Sequence, residues 1–267
     1  MTKPWREAVL RGPPPAPSPR GEPRLSVALA SAPSDVELAQ RLRYKVFAEE
    51  LGARIDGGPE GLDRDEFDDW CDHLIVRDDD RLRAVGTYRI LPPHRARSLG
   101  RLYSENGFDL ARLAHLRASM IEVGRACVHR DYRTGAALLM LWAGLAHYMK
   151  ANGYRHLVGC ASAPLGDGGA QAARLRDELL PHFVDLEHRV FPRLPFPHAR
   201  LDRAREVEMP PLIKGYLRLG ARVCGEPAWD PDFNCADFMM WLSLDQLNPR
   251  YARHFDLLAG HAAGASA

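Results

Sequence analysis

The sequence has little cysteine, no long apolar run and no excess of either charge. Its five cysteines, Cys71, Cys127, Cys160, Cys224 and Cys235, are odd in number and form no C-x-x-C pair. They read as reduced thiols, which argues against a disulfide frame or a zinc site. The longest apolar run, 136–146, is about half of the roughly 20 residues that a membrane-spanning helix needs. With 36 Lys+Arg against 35 Asp+Glu, the net charge of +1 gives no global pull toward nucleic acid. No apolar signal core stands near the N-terminus, so secretion is not expected. A cytoplasmic location is expected, with peripheral contact at the inner membrane left open. What remains, 267 residues with 46% hydrophobic and 27% charged, is an ordinary globular composition with ample length for a sizeable core.

The charge that is present is unevenly spread. Residues 1–24 hold seven of the 21 prolines and a net +3, which reads as a disordered basic tail. Residues 56–72 carry eight acids and one base, and residues 81–101 carry six arginines and no acid. A charged run is usually only a solvated face. Two opposed runs this close together are a better candidate for a site with two differently charged ligands.

Periodicity predicts one mixed α/β domain over 25–258, followed by a loose tail at 259–267. Strands are expected at 25–30, 73–76, 84–91, 120–128, 156–162 and 238–244. Helices are expected after a Ser34-x-x-Glu37 capping box, at 110–116, over 135–152, near 170–180, from Pro211 to Leu219, and over 250–258. There is no internal repeat.

Three chemical readings of single motifs are weak. His73-x4-Asp78 spells the H-x4-D pair of glycerolipid O-acyltransferases, but residues five apart on a strand face opposite ways. Cys160 could carry an acyl group, although a small thiol in a buried strand is more often core. Asp63-x-Asp65 lacks the glycine of a calcium loop, so no metal site is expected. A more informative set is Arg43-x3-Phe47, Asp65-x2-Asp68, Arg89, Phe108 and Glu122-x2-Arg125, each a charge or aromatic at the edge of an apolar element. Singly, each would be a structural ion pair or core residue. A carboxyl at Glu122, inside a strand, would have its pKa raised toward the range useful for taking a proton from an amine. Arginines can pair a substrate carboxylate in bidentate fashion, and the acidic loop offers partners for a cation.

In this order those residues resemble the motif set of the acyl-homoserine-lactone autoinducer synthases, which are GNAT-like acyltransferases. A tryptophan of that set is missing where Leu51-Gly52 stand. A closer resemblance covers about Leu25 to Phe255. Arg43–Gly52, Asp65–Val76, Ile121–Gly144, Gly159–Pro164, Pro210–Ala221 and Phe233–Phe238 resemble the ornithine-lipid-forming N-acyltransferases, sometimes labelled haemolysin-like. The strings Ile121-Glu-Val-Gly-Arg125 and Pro211-Leu-Ile-Lys-Gly-Tyr-Leu-Arg-Leu-Gly220 are its most specific parts.

The resemblance implies a single GNAT-like α/β (α+β) domain with a mostly antiparallel mixed sheet and helices on both faces. It implies transfer of a 3-hydroxy fatty acyl chain from acyl carrier protein to the α-amine of L-ornithine, giving lyso-ornithine lipid. No permanently bound cofactor is implied, since the donor is the acyl-phosphopantetheine of the carrier. Glu122, Arg125 and Tyr216 would be catalytic, with Tyr216 protonating the leaving thiolate. Arg43, Phe47, Asp65, Asp68, Arg89, Phe108 and Ser162 would bind substrate. Val123, Val128, Arg133, Gly135 and Ala136 would hold the donor arm. Lys214, Arg218 and Arg222 would dock the acidic carrier. Other acceptors (lysine, glutamine or an autoinducer precursor) are the first alternative, and a membrane-binding haemolysin-like protein is an alternative of another class. A bulge at Gly124 is expected to bring Glu122 and Arg125 to one face.

Overall fold

The computed structural model describes residues 10–11, 23–203, 206–251 and 253. The tail at 259–267, most of the helix expected over 250–258, and most of the N-terminal segment lie outside the described residues. Within that segment Leu10–Arg11 form a short strand, β1, which pairs antiparallel with Ser26 and Val27. Next come β2 (Leu25–Leu29), α1 (Pro33–Tyr44), β3 (Asp72–Asp78), β4 (Arg83–Leu91), α2 (Pro93–Leu99) and β5 (Phe108–Asp109). They are followed by β6 (Met120–Val128), α3 (Ala136–Asn152), β7 (His156–Pro164), α4 (Ala170–Leu179) and β8 (Phe191–Pro192). Helix α5 (Pro211–Leu219), β9 (Arg222–Val223), β10 (Ala228–Asp230) and β11 (Cys235–Ser243) complete the chain order.

The main sheet runs β1-β2-β3-β4-β6-β7-β11-β10, with β9 also on β11. Every neighbouring pair is antiparallel except β6 with β7. Alternation along the strands divides two cores. On one face Leu74, Val76, Tyr88, Ile90, Ile121 and Phe238 meet the apolar side of α3 and α5. Gly144 lets α3 settle close to the sheet, since a Cβ there would stand 2.9 Å from Leu74. On the other face Leu91, Met120, Val158 and Met239 pack with Phe67 and the segment around Leu102–Leu113. Helix α1 covers that second face over β3, β4 and β6 through Leu42, and the π-helical segment Lys45–Glu50 that continues it adds Val46.

The start of α1 differs from the expected capping box. Pro33 takes the first helical position, where its missing N–H costs nothing. Asp35, not Glu37, then reaches back and accepts hydrogen bonds from the Ser31 and Ala32 N–H groups (2.9 and 3.3 Å). The segment expected as a helix at 110–116 is 3-10 in type and runs Ala111–Ser119.

Candidate active site

Strands β6 and β7 pair over three positions only, ending at Glu122 and Val158. Gly159 then permits a very close approach, because a Cβ there would lie 2.3 Å from the Val123 carbonyl oxygen. Beyond it the strands part. A cavity of about 210 Å³ opens there, with Gly124 and Ala126 on one side and Cys160 and Ser162 on the other.

The pairing of β6 with β4 is broken at the same level. Thr87 pairs with Cys127 and Arg89 with Gly124, so Tyr88 faces two residues, Arg125 and Ala126. Arg125 occupies the bulge with φ +52°, a backbone region that costs a non-glycine residue about 1–3 kcal/mol. The bulge falls one residue later than expected. Its effect is the expected one, because Glu122 and Arg125 both line the cavity.

Ion pairs and ring faces hold Arg125 in that conformation. Its guanidinium lies 3.1 Å from Asp63 and 3.4 Å from Asp65. It also stacks over Phe233 at 4.5 Å and Tyr103 at 5.1 Å. The same acids serve two more arginines. Arg43 from α1, fully buried, pairs with Asp63 (2.9 Å) and Asp68 (2.8 Å). Arg89 from β4 pairs with Asp65 (2.5 Å) and Asp68 (3.1 Å). Three arginines and three aspartates thus form one closed, neutral network. Burial works against the charge on Asp68, yet Arg43 and Arg89 hold its carboxyl well below the usual range. His73 borders the network, and burial, with the two arginines, lowers its pKa. Its neutral Nε2–H is placed to donate to the Asp68 carbonyl at 3.1 Å. Asp78, the other half of the H-x4-D motif, instead accepts from Arg81 at 2.9 Å.

Among the described residues, Glu122 forms no ion pair with this network. Its carboxylate accepts the backbone N–H groups of Tyr103 (2.6 Å) and Ser104 (2.7 Å). At 4% exposure it is nearly closed off from water. Burial pushes its pKa up, and the hydrogen bonds from residues 103 and 104 only partly offset this. Each carboxylate oxygen keeps a second lone pair, so Glu122 can still accept a proton from a group in the cavity.

The far wall is built by β7, β10 and β11. Asp237 accepts a hydrogen bond from Ser162 Oγ at 2.6 Å, and Asp230 lies nearby across the strand pair. Burial, reinforced by Asp230, raises the pKa of Asp237. Cys160 also faces the cavity, but burial drives its thiol well above the ordinary value. The hydrogen-bond partner it shows is Ser104 Oγ at 3.8 Å. That is a poor setting for a thiolate nucleophile.

Of the residues singled out from sequence, Glu122, Arg125, Arg89, Phe47, Val123 and Ser162 line the cavity. Arg43, Asp65 and Asp68 support it from behind. Others are placed elsewhere. Phe108 is buried in the core below the site and pairs with Pro192. Tyr216 is buried with its hydroxyl 2.6 Å from that of Tyr88 and its ring against Trp142, so the cavity wall lacks it. Arg133 is held by Glu50 (2.7 Å) and the Val128 carbonyl (3.0 Å). Gly135 and Ala136 open α3 and are exposed. Lys214 and Arg218 share a face of α5 and border, with Gly135, a second hollow of about 340 Å³. Arg222 is off that face, on β9, and donates to the carbonyls of His182 and Phe183. The sequence reading did not single out Asp63 as an arginine partner, nor Tyr103, Ser104, Asp230, Phe233 or Asp237. An acid inside the apolar run Cys-Ala-Asp-Phe-Met-Met was a visible signal for Asp237.

An acetyltransferase (GNAT) domain family matches residues 42–143. The acyl-homoserine lactone synthase BjaI shares the fold at 18% identity with a TM-score of 0.50, over 86% of this chain and 83% of that one. FeeM, an N-acyl amino acid synthase from uncultured soil microbes, does so at 14% identity and 0.50, over 84% and 92%. An L-ornithine N(alpha)-acyltransferase of Rhodobacter capsulatus is 37% identical over 86% of this chain and 93% of its own length. One from Rhizobium meliloti is 33% identical over 88% and 86%. With its acyltransferase fold and this level of identity, the chain belongs to the L-ornithine N(alpha)-acyltransferase family.

Proposed function

We propose that the protein transfers a 3-hydroxy fatty acyl group from the thioester of acyl carrier protein to the α-amine of L-ornithine, giving lyso-ornithine lipid. The names of the relatives support the acceptor. The observation that carries the chemistry is the buried carboxyl of Glu122 beside Arg125 in a cavity between two parting strands. An α-amine is mostly protonated at neutral pH and must lose a proton before it can attack. Glu122, with its raised pKa, takes that proton. The free amine then adds to the thioester carbonyl, and a backbone N–H at the bulge steadies the oxyanion. As the C–S bond breaks and the amide forms, the adduct nitrogen gives its second proton to the departing thiolate, and Glu122 returns the first proton to solvent. Arg125 and Arg89 face the acceptor's carboxylate. Direct transfer fits a Cys160 thiol that stays protonated.

The phosphopantetheine arm of the carrier enters from the side of α3 and α5, where Lys214 and Arg218 are exposed beside the hollow at Gly135. Those cations are the docking contacts for an acidic carrier. No helix among the described residues is long and apolar enough to cross a membrane.

The test is to incubate purified protein with acylated carrier and a panel of amino acids, then weigh the lipids formed. N-acyl ornithine is expected as the dominant product. A different N-acyl amino acid, or turnover with acyl-coenzyme A alone, would contradict the reading.

A further inference from the structure

The acidic loop was the expected partner for a substrate cation, and the fold removes it from that role. Asp63, Asp65 and Asp68 are all paired with arginines. Ornithine acylated on its α-amine still carries a second ammonium at the end of its side chain, and inside a cavity that charge needs an anion.

The far wall supplies one. Asp237 on β11 and Asp230 on β10 both line the cavity, and among the described residues no Lys, Arg or His forms an ion pair with either. Their oriented contacts use one oxygen each. Asp237 Oδ1 takes the Ser162 hydroxyl at 2.6 Å and the Cys235 thiol at 3.4 Å. Asp230 Oδ1 takes the N–H groups of Asp232 (2.9 Å) and Phe233 (3.0 Å). Oδ2 of each is left without a hydrogen-bond partner among the described residues. One side-chain oxygen from each and the Cys235 sulfur lie within 4.8 Å of one another. Arg125, which acts on Asp237 across the cavity, is committed to Asp63 and Asp65, so two carboxylates this close together still favour a positively charged ligand group between them. An ammonium with three donors suits this arrangement.

We propose that Asp237, oriented by Ser162 and assisted by Asp230, binds the side-chain ammonium of the acceptor and so selects a diamino acid over its neutral analogue. This rests on the ornithine reading above. Glu122 and Asp237 then divide the two amines, one to be deprotonated and acylated, the other to be held as a cation.

The experiment uses the full chain with acylated carrier and compares ornithine with norvaline, which has the same carbon skeleton without the second amine. Asp237→Asn should raise KM for ornithine about a hundredfold while kcat changes little. The variant's kcat/KM for norvaline should barely move, so the preference collapses. Ser162→Ala, which removes only the orienting hydrogen bond, should move the same ratio by about tenfold. It keeps the proposal testable if Asp237→Asn does not fold. An equal loss with both acceptors would make these residues structural and overturn the proposal. So would a stoichiometric metal ion in the wild-type protein that is lost in Asp237→Asn. A wild-type protein that prefers ornithine, with the preference intact in both variants, overturns this assignment alone. A wild-type protein that shows no preference for ornithine overturns the ornithine reading as well.

Discussion

Arg43 has no exposed surface and two carboxylate partners, so its charge is tolerable only because Asp63 and Asp68 are in place. The aspartates depend on their arginines in return, and that dependence sets the protein's behaviour in acid. Asp68 and Asp78 both have folded-state pKa values below the ordinary 3.8, with Asp78 at about 2. A depressed carboxyl contributes stability that is fully present above its unfolded value and is lost as pH falls through the folded one. Chemical-denaturation midpoints should therefore be level near neutrality and fall between about pH 4 and pH 2. Arg43→Met should remove the Asp68 share of that slope, because that carboxyl loses one of the two arginines that depress its pKa, and should cost about 3–5 kcal/mol at neutral pH. An unchanged acid slope in that variant would mean that Arg43 does not set the Asp68 pKa.

At the scale of elements, most of the architecture was legible in the sequence. Alternating apolar residues marked β4, β6, β7 and β11, and an all-round apolar segment marked α3. The start of α1 was misread because a proline one residue before Ser34 can itself open a helix. The site was half legible. Arginines and acids at the edges of apolar elements were visible, but which acid meets which arginine depends on three segments converging, as Asp63 shows by pairing with both Arg43 and Arg125. The bulge was expected at glycine, where positive φ carries no penalty, yet it falls on Arg125, whose ion pairs and ring contacts offset the strain. Tyr216 was expected as a catalytic acid from the resemblance, but a resemblance in sequence does not say which face of the sheet a side chain meets. The parting of β6 from β7 depends on Gly159, whose neighbour is backbone and cannot move aside. Gly159→Ala should lower stability by about 1–3 kcal/mol, as overpacking does, and should reduce turnover by deforming the cavity mouth. Thermal melts and steady-state rates would check this; a variant as stable and as active as wild type would show that the contact is relieved elsewhere.

Across the whole molecule, one sheet separates two tasks. Its α3 and α5 face holds the larger apolar core and presents the exposed Lys214 and Arg218. Its other face holds the arginine–aspartate network and the cavity carboxylates. On the proposed reading, the cavity between the parting strands is where the thioester meets the amine, and Glu122 is the group that frees that amine.

The most direct measurement is the single-turnover rate of acyl transfer to ornithine as a function of pH, for the wild type and for Glu122→Gln. In the wild type the rate should rise with pH through a pKa above the ordinary glutamate value of 4.5, because burial favours the protonated carboxyl. Glu122→Gln should lose about 10²- to 10⁴-fold in rate, together with that limb of the profile. Its amide would face two backbone N–H groups, so a melt must accompany the assay, with a loss of about 1–3 kcal/mol expected. A folded Glu122→Gln protein with full turnover and an unchanged pH profile would contradict the account.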